Sequence, residues 1–250
     1  MKIIGHRGAA GIALENTLES IRSAIAAGVD AIEIDVRLTK DKYLVLSHDF
    51  STGRLSKSDV VISDATLEEL QTVKLSNGRR IPTLEEAIKT VGDTPLIVEA
   101  KGGGWAQILA DVLDKHPRKD IRVIAFDHDG LTDFHELRPD IPVYALDRWS
   151  PFDAVQTAQA RGFAGVDLNF WVLNPLAYRL ARNVGLDIIV FTVNHVWIAR
   201  FLKWLYPEIS ITTNNPDKLG YLSDVKKSER AKAKASTKRK RSRRSSTAPL

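Results

Sequence analysis

The chain has 250 residues, a formal net charge of +5, no cysteine and a hydrophobic share of 44%. That share is ordinary for a folded protein with a sizeable core and excludes disorder of the whole chain, while the length suits one α/β barrel or two smaller domains. The lack of cysteine excludes disulfide scaffolds, thiolate zinc sites and cysteine nucleophiles. No apolar run approaches the ~20 residues that a membrane helix needs.

The positive charge is concentrated at the carboxyl end. Residues 225–250 contain eleven Lys and Arg residues against one acid, Glu229, and carry +10, whereas residues 1–224 contain 25 basic and 30 acidic residues and carry −5. Because the segment 225–250 lacks aromatic residues, we expect it to be a disordered tail. Its basic runs could hold anionic lipid or nucleic acid through phosphate contacts, but composition favours a solvated appendage with weak, non-specific attraction to such polyanions.

Short β-rich runs alternate with helical stretches along the chain. Asn16 is expected to cap a first helix that Gly28 ends, and Thr66 and Thr83 begin capping boxes of two more. The further predicted helices are 105–115, 130–137, 151–161, 175–183, 195–205 and 216–222. The predicted strands are 2–5, 31–37, 95–100, 121–125, 142–146, 164–168, 187–191 and 209–212, with a further extended stretch at 43–47.

This alternation predicts a (β/α)8 TIM barrel over residues 1–224, with a doubly wound open sheet as the alternative. The polar segment 50–82 is longer than an ordinary barrel loop, and we expect it to be a small insertion after the second strand. The amino terminus lacks the apolar core of an export signal, so a cytoplasmic location is expected.

Polar residues that can do chemistry stand where the predicted strands end. In a parallel barrel these ends meet at one face, where active sites lie. A single histidine or a single Glu-x-Asp has an ordinary structural explanation, but their joint placement favours a site. The residues are His6 and Arg7 at the end of the first strand, Glu33 and Asp35 on the second, His48 after the extended stretch, Glu99 and Lys101 at the end of the third, Asp127 and His128 after the fourth, Asp167 and Asn169 after the sixth, and Asn194 after the seventh.

These residue types suit cleavage of a phosphodiester. The carboxylates of Glu33, Asp35 and Glu99 would repel one another unless a divalent cation held them together, and all-oxygen ligation favours Mg²⁺ or Ca²⁺. Two cations suit a phosphate, and two imidazoles can exchange protons near neutral pH. Trp171 is a candidate for the wall of the substrate pocket, whereas the other four tryptophans are expected in the core or in helix packing.

The chain resembles the glycerophosphodiester phosphodiesterase family over about residues 1–220. The motifs that carry the resemblance are His6-Arg7-Gly8, Glu15-Asn16-Thr17, Glu33-Ile-Asp35, Ser47-His48-Asp49, Pro82-Thr-Leu-Glu-Glu86, Glu99-Ala-Lys101, Ala125-Phe-Asp127, Thr192-Val-Asn194 and Thr212-Thr-Asn-Asn-Pro216. Leu14, Lys42 and Phe191 depart from the family's pattern, and these departures concern substrate preference rather than the reaction.

The resemblance implies a role for each matching residue. His6 and His48 match the general acid/base pair, and Arg7 and Lys101 match phosphate-binding residues. Glu33, Asp35 and Glu99 match the metal ligands, with Mg²⁺ or Ca²⁺ as the ion, and Glu15 and Asn16 match residues that support the site. The implied reaction hydrolyses glycerophosphodiesters to an alcohol and sn-glycerol 3-phosphate.

Two other functions stay open at this point. One is a lysophospholipase D-type reaction in which the basic tail brings the acidic body to an anionic membrane. The other is a non-catalytic barrel that binds a polyanion such as RNA, although a binding protein has no need of two imidazoles.

Overall fold

A computed structural model of the protein describes residues 1–118 and 120–224. Within these residues, nine strands form one sheet. Each predicted strand is present, with both ends within one residue of the expected positions. The strands are β1 (Lys2–Gly5), β2 (Ala31–Leu38), β3 (Leu44–Leu46), β4 (Leu96–Lys101), β5 (Ile121–Ala125), β6 (Val143–Asp147), β7 (Gly165–Asn169), β8 (Asp187–Phe191) and β9 (Ser210–Thr213).

The sheet closes on itself as an eight-stranded parallel barrel. Strand β1 pairs in parallel with β2, with Ile4 opposite Ala31, and also with β9, with Ile3 opposite Ile211. An open sheet has free edges at both ends, so these two pairings exclude the doubly wound alternative and confirm the TIM barrel. Strand β3 pairs antiparallel with β2 and stands outside the barrel, as the extended stretch after the second strand predicted.

Helices follow the strands and pack around the barrel. The first helix begins at Thr17, whose hydroxyl accepts the amide N–H of Ser20 in a capping box, so the expectation of an Asn16 cap is wrong. The predicted capping boxes at Thr66 and Thr83 are confirmed. The helices are α1 (Leu18–Ala27), α2 (Leu67–Thr72), α3 (Leu84–Val91), α4 (Ala106–Lys115), α5 (His128–Leu137), α6 (Pro151–Ala160), α7 (Pro175–Asn183), α8 (Val196–Leu205) and α9 (Pro216–Leu219), with 3-10 turns at Ile62–Asp64 and Gly220–Leu222.

Three apolar clusters hold the described residues together. The main cluster fills the layer between barrel and helices, and a small cluster fills the barrel interior with Ile4, Ile97, Ile124 and Ile189 among its members. The segment after β3 has its own cluster, which includes Leu70 of α2. The insertion is therefore a packed unit rather than a loose loop.

The expectation for the tryptophans is wrong in most cases. Of the four that were expected in the core or in helix packing, Trp105 is fully buried, whereas the side chains of Trp149, Trp197 and Trp204 are largely exposed. Trp197 and Trp204 point outward because the opposite face of their helix meets the barrel.

The predicted tail, residues 225–250, lies outside the described residues, and the division at residue 224 stays a prediction. Within residues 1–118 and 120–224, no helix combines the length and the apolar composition needed to cross a bilayer. The expected cytoplasmic location stays a prediction as well.

Candidate active site

A cavity of about 370 Å³ opens at the carboxyl ends of the barrel strands. Strand-end residues predicted from sequence line this cavity, while Asp35, Glu15 and Asn16 contact the lining residues from behind it. Those that line the cavity are His6, Arg7, Glu33, His48, Glu99, Lys101 and Trp171.

The loop after β1 is shaped so that its backbone holds the neighbouring strand. Arg7 adopts a left-handed conformation with φ of 50°, and its amide N–H donates to Glu33 Oε2 at 2.7 Å. Gly8 follows at φ of 82°, and a Cβ there would lie 2.4 Å from Ser20 Oγ. This close approach requires glycine in the His-Arg-Gly motif.

The imidazole of His6 is oriented by the far end of the chain. Its Nδ1 lies 2.6 Å from Asn214 Oδ1, so this nitrogen carries the hydrogen and donates, and Nε2 is left with its lone pair. Asn214 is held in turn, because its backbone N–H donates to Asn194 Oδ1 at 2.9 Å. Burial and the charge of Arg7 lower the pKa of His6 to about 4, so the ring is neutral at pH 7.

The imidazole of His48 has a charged partner instead. Its Nδ1 lies 2.7 Å from Asp49 Oδ1, so Nε2 again faces away from the partner. Burial lowers the pKa of His48 although the carboxylates of Asp35 and Asp49 act to raise it. Arg37 fixes the backbone at this point by donating to the His48 carbonyl at 2.9 and 3.0 Å.

The insertion reaches the site through Arg54. Its guanidinium donates to Asp49, which orients His48, and to Glu15 Oε1 at 2.6 Å. Glu15 Oε1 also accepts from Arg7 Nη1 at 2.7 Å. A continuous chain of charge-assisted hydrogen bonds therefore links the insertion to the loop after β1.

Three carboxylates gather at one point of the cavity. Ligand atoms from Glu33, Asp35 and Glu99 all lie within 4.8 Å of one another, and all three residues are buried. Burial, Asp35 and Glu99 raise the pKa of Glu33 well above its usual range, and burial and Asp35 raise the pKa of Glu99 to about 7. Without a bound cation, the carboxylates of this cluster repel one another, and this repulsion favours the protonated forms of Glu33 and Glu99.

Asp35 differs from the other two because two cations contact it, although one of them, Lys101, also donates to Glu99 Oε1. Burial acts to raise its pKa, but Lys101 Nζ at 3.1 Å and Arg7 Nε at 3.2 Å outweigh burial and hold the pKa well below its usual range. Asn16 clamps Asp35 from behind, donating to Oδ2 at 2.8 Å and accepting the Asp35 amide N–H at 3.1 Å. This double contact explains why Asn16 is not the helix cap.

The cluster fits a divalent cation held by oxygen ligands. Among the described residues, Glu33 Oε1 is buried without a hydrogen-bond partner. A cation would supply that partner and would remove the repulsion that raises the pKa values of Glu33 and Glu99. Hard carboxylate donors without sulfur or nitrogen suit Mg²⁺ and Ca²⁺.

Two further residues of the cavity, Asp167 and Arg148, had no role predicted from the sequence. Asp167 of β7 is fully buried, its Oδ1 has no hydrogen-bond partner among the described residues, and burial and Glu99 raise its pKa well above the usual range. Arg148, just after β6, places its guanidinium 5.8 Å from the Phe126 ring. Asp167, Arg148 and Asn214 all stand near or directly after the carboxyl end of a strand, which was the available signal, whereas Arg54 stands in the insertion.

The rim of the cavity is aromatic on one side. Trp171 is exposed, and its ring lies 4.6 Å from that of Phe170, with both rings lining the cavity. The position predicted for Trp171 on the pocket wall agrees with this geometry.

Comparison with known proteins identifies the class to which this site belongs. Residues 6–218 match the model of the glycerophosphoryl diester phosphodiesterase family, and the chain belongs to that family. It is therefore an enzyme of the phosphoric diester hydrolase class.

Individual relatives are similar over almost their whole lengths. YhdW of Bacillus subtilis (strain 168) is 32% identical over 233 residues, which cover 87% of this chain and 96% of that protein. A solved Oleispira antarctica phosphodiesterase in complex with the product sn-glycerol-3-phosphate has a TM-score of 0.81 at 25% identity, covering 88% of this chain and 96% of its own. A Thermotoga maritima glycerophosphodiester phosphodiesterase has a TM-score of 0.76 at 30% identity, covering 89% and 98%.

Proposed function

We propose that the protein hydrolyses glycerophosphodiesters to an alcohol and sn-glycerol 3-phosphate, with a divalent cation and a pair of histidines. One observation carries the proposal: two imidazoles, each fixed at Nδ1, line the same cavity as a buried carboxylate cluster and two cations. The product bound by the Oleispira relative supports the same substrate class.

The two histidines suit different proton-transfer roles. His6 has an uncharged partner, Asn214, and a lowered pKa, so it is neutral and has a free lone pair at Nε2. It is the general base that takes a proton from the nucleophile, whether water or the glycerol 2-hydroxyl. Burial lowers the pKa of His48, but the carboxylates of Asp35 and Asp49, the latter at its Nδ1, oppose that lowering and stabilise the imidazolium when it forms. His48 is the general acid that protonates the leaving alcohol.

Glu33, Asp35 and Glu99 hold the cation in this proposal. When bound, the ion supplies Lewis acidity toward a phosphoryl oxygen and stabilises the charge that develops there. Lys101 and Arg7 keep Asp35 ionised and bring positive charge to the cavity, where a phosphate needs it. Arg148 adds a third cation at the rim, and the Phe170 and Trp171 rings face the alcohol group of the substrate.

The activity is tested by measuring glycerol 3-phosphate release from glycerophosphocholine and glycerophosphoethanolamine with EDTA, Mg²⁺ or Ca²⁺. We expect release only with a divalent cation, and its loss in Glu33→Gln. Glu68→Gln is the matched control, because it removes an exposed carboxyl from α2. Absence of glycerol 3-phosphate release with either ion would contradict the proposed substrate class. Headgroup release from a lysophospholipid alone would assign the activity to lysophospholipids instead.

The histidine roles are tested with two leaving groups. A p-nitrophenyl ester of glycerol 3-phosphate releases an anion that needs no proton, whereas the choline ester releases an alcohol that does. We expect His48→Ala to lower kcat/KM about 10³-fold on the choline ester and by less than about tenfold on the p-nitrophenyl ester, and His6→Ala to lower both about 10³-fold. The exposed His195→Ala serves as the control. The reverse pattern between the two variants would exchange the roles.

A further inference from the structure

The outer face of α8 is aromatic where a barrel helix is normally polar. Trp197, Phe201 and Trp204 follow one another at helical spacing, and their exposed fractions are 69%, 52% and 76%. The opposite face carries Ile198, Ala199 and Leu202, which are buried against the barrel. Packing of the barrel therefore accounts for the inner face of α8 and leaves the outer face without an apolar partner among the described residues.

The neighbouring helix α7 leaves this face exposed. The Tyr178 ring of α7 lies 4.9 Å from the Tyr206 ring at the end of α8, so the two helices are neighbours. The exposed Leu176 and Leu180 lie on the side of α7 opposite to Tyr178 by helical spacing, and they do not join the outer face of α8. We call the exposed side chains of α8 the aromatic face: Trp197, Phe201 and Trp204.

Cations lie beside this face. Arg179 of α7 and Arg200 of α8 are exposed, and the Arg200 guanidinium stands 5.7 Å from the Tyr221 ring. Aromatic side chains bordered by Arg and Lys are typical of segments that lie in the interface of a bilayer with anionic headgroups.

The basic segment of the chain begins at the same place. Asp224, the last described residue, pairs with Lys203 of α8 at 2.5 Å, and Lys203 also donates to the Leu222 carbonyl at 2.7 Å. The described part of the chain therefore ends beside α8, and the residues that follow in sequence, 225–250, carry +10. They contain no aromatic residue that would cover the aromatic face.

We propose that the aromatic face is a docking surface for an anionic lipid bilayer, with the charge of residues 225–250 adding to the attraction. The aromatic side chains enter the boundary between headgroups and acyl chains, and the adjoining cations meet the headgroup phosphates. Nucleic acid also suits the charge, and the RNA arm of the test distinguishes it from the bilayer. The proposal concerns where the enzyme works, and it holds or fails independently of its substrate.

Geometry links the face to the site. Helix α8 follows β8, so its first turn stands at the end of the barrel where the cavity opens, and Trp197 lies nearest that end. Trp204 lies about 10 Å farther along the helix axis. A bilayer that contacts this face therefore lies beside the mouth of the cavity.

The test is co-sedimentation of the full chain with vesicles of mixed phosphatidylglycerol and phosphatidylcholine, compared with phosphatidylcholine alone. We expect binding to the anionic vesicles that weakens at high salt, and a loss of about tenfold for each of Trp197→Ser and Trp204→Ser. Tyr43→Ser is the matched control, because it removes a half-exposed ring from the turn between β2 and β3. Unchanged thermal unfolding of the variants shows that each is folded.

Three results would overturn the proposal. Vesicle binding that survives the double substitution Trp197→Ser/Trp204→Ser would exclude the face as its cause. A dimer that the double substitution dissociates, without vesicle binding by either protein, would make the face an interface between copies. Loss of binding to an RNA oligonucleotide without loss of vesicle binding would assign the face to nucleic acid.

Discussion

Removing one carboxylate from the active site is expected to stabilise the metal-free protein. Glu99 is buried beside Asp35, and burial together with that charge raises the pKa of Glu99 to about 7. The folded state therefore disfavours the ionised form relative to the unfolded chain. Glu99→Gln keeps the size and an acceptor oxygen for Lys101 but carries no charge, so it removes this cost.

The magnitude follows from the two titrations. The unfolded carboxyl ionises near pH 4.5 and the folded one near 7, a difference worth about 3 kcal/mol at pH 8. Since the folded state binds the extra proton, stability falls as pH rises from 4.5 to 7 and the full cost is present above 7. The amide is an imperfect substitute for the protonated acid, so we expect a net gain of about 1–3 kcal/mol at pH 8.

Urea unfolding in EDTA at pH 8 and at pH 5 measures the effect. The gain should shrink at pH 5, because Glu99 is then protonated in the folded native protein. With Mg²⁺ or Ca²⁺ the order should reverse, since the variant has lost a ligand. Glu68→Gln should change little at either pH. Destabilisation of the metal-free Glu99→Gln variant by more than about 1 kcal/mol at pH 8 would show that the carboxylate supports the fold, and would refute the reasoning.

Three further outcomes are expected. Metal affinity should fall about tenfold per pH unit below pH 7, because the cation displaces the proton of Glu99, and calorimetry in two buffers of different ionisation enthalpy should show proton release. Arg54→Met should lower kcat/KM about 10–100-fold without a matching loss in thermal stability, because the native Arg54 guanidinium connects Asp49 with Glu15. Arg79→Met, at an exposed position, is the control. Asp167→Asn should keep kcat/KM within about threefold, because burial and Glu99 raise the pKa of Asp167 and disfavour its ionised form, and the amide resembles the neutral acid. A loss of 100-fold there would mean that Asp167 works ionised.

The strands could be predicted closely because their environment is uniform. A strand buried on both faces is a short continuous apolar run, and turn residues bound each run in this chain. The helix starts were less certain where two capping residues stand together. Asn16 and Thr17 are both residue types that cap helices well. Thr17 is the cap because the Asn16 side chain is hydrogen-bonded to Asp35, which is distant in sequence.

Exposure of the tryptophans could not be predicted from composition. Helix α8 has apolar residues on both faces, so the hydrophobic pattern does not say which face meets the barrel. Only the closed barrel decides that Ile198 points inward and Trp197 outward.

Most candidate residues could be predicted to share one cavity, because the carboxyl ends of parallel strands in a barrel lie at the same face. Arg54 could not be found in this way, because it enters from the insertion. Asn214 directly follows β9, but the sequence does not show that it orients a histidine 208 positions earlier in the chain. Asp167 also stands near a strand end, but the sequence does not show that its Oδ1 is buried without a hydrogen-bond partner among the described residues.

The bond between His6 and Asn214 makes activity a reporter of barrel closure. His6 follows the first strand and Asn214 the last, so the imidazole is oriented only when β1 and β9 have met. A folding intermediate in which the other strands and helices have formed would give most of the far-ultraviolet circular dichroism signal without an oriented base. During refolding, recovery of turnover should therefore lag behind recovery of helix and coincide with the last long-range pairing of the chain.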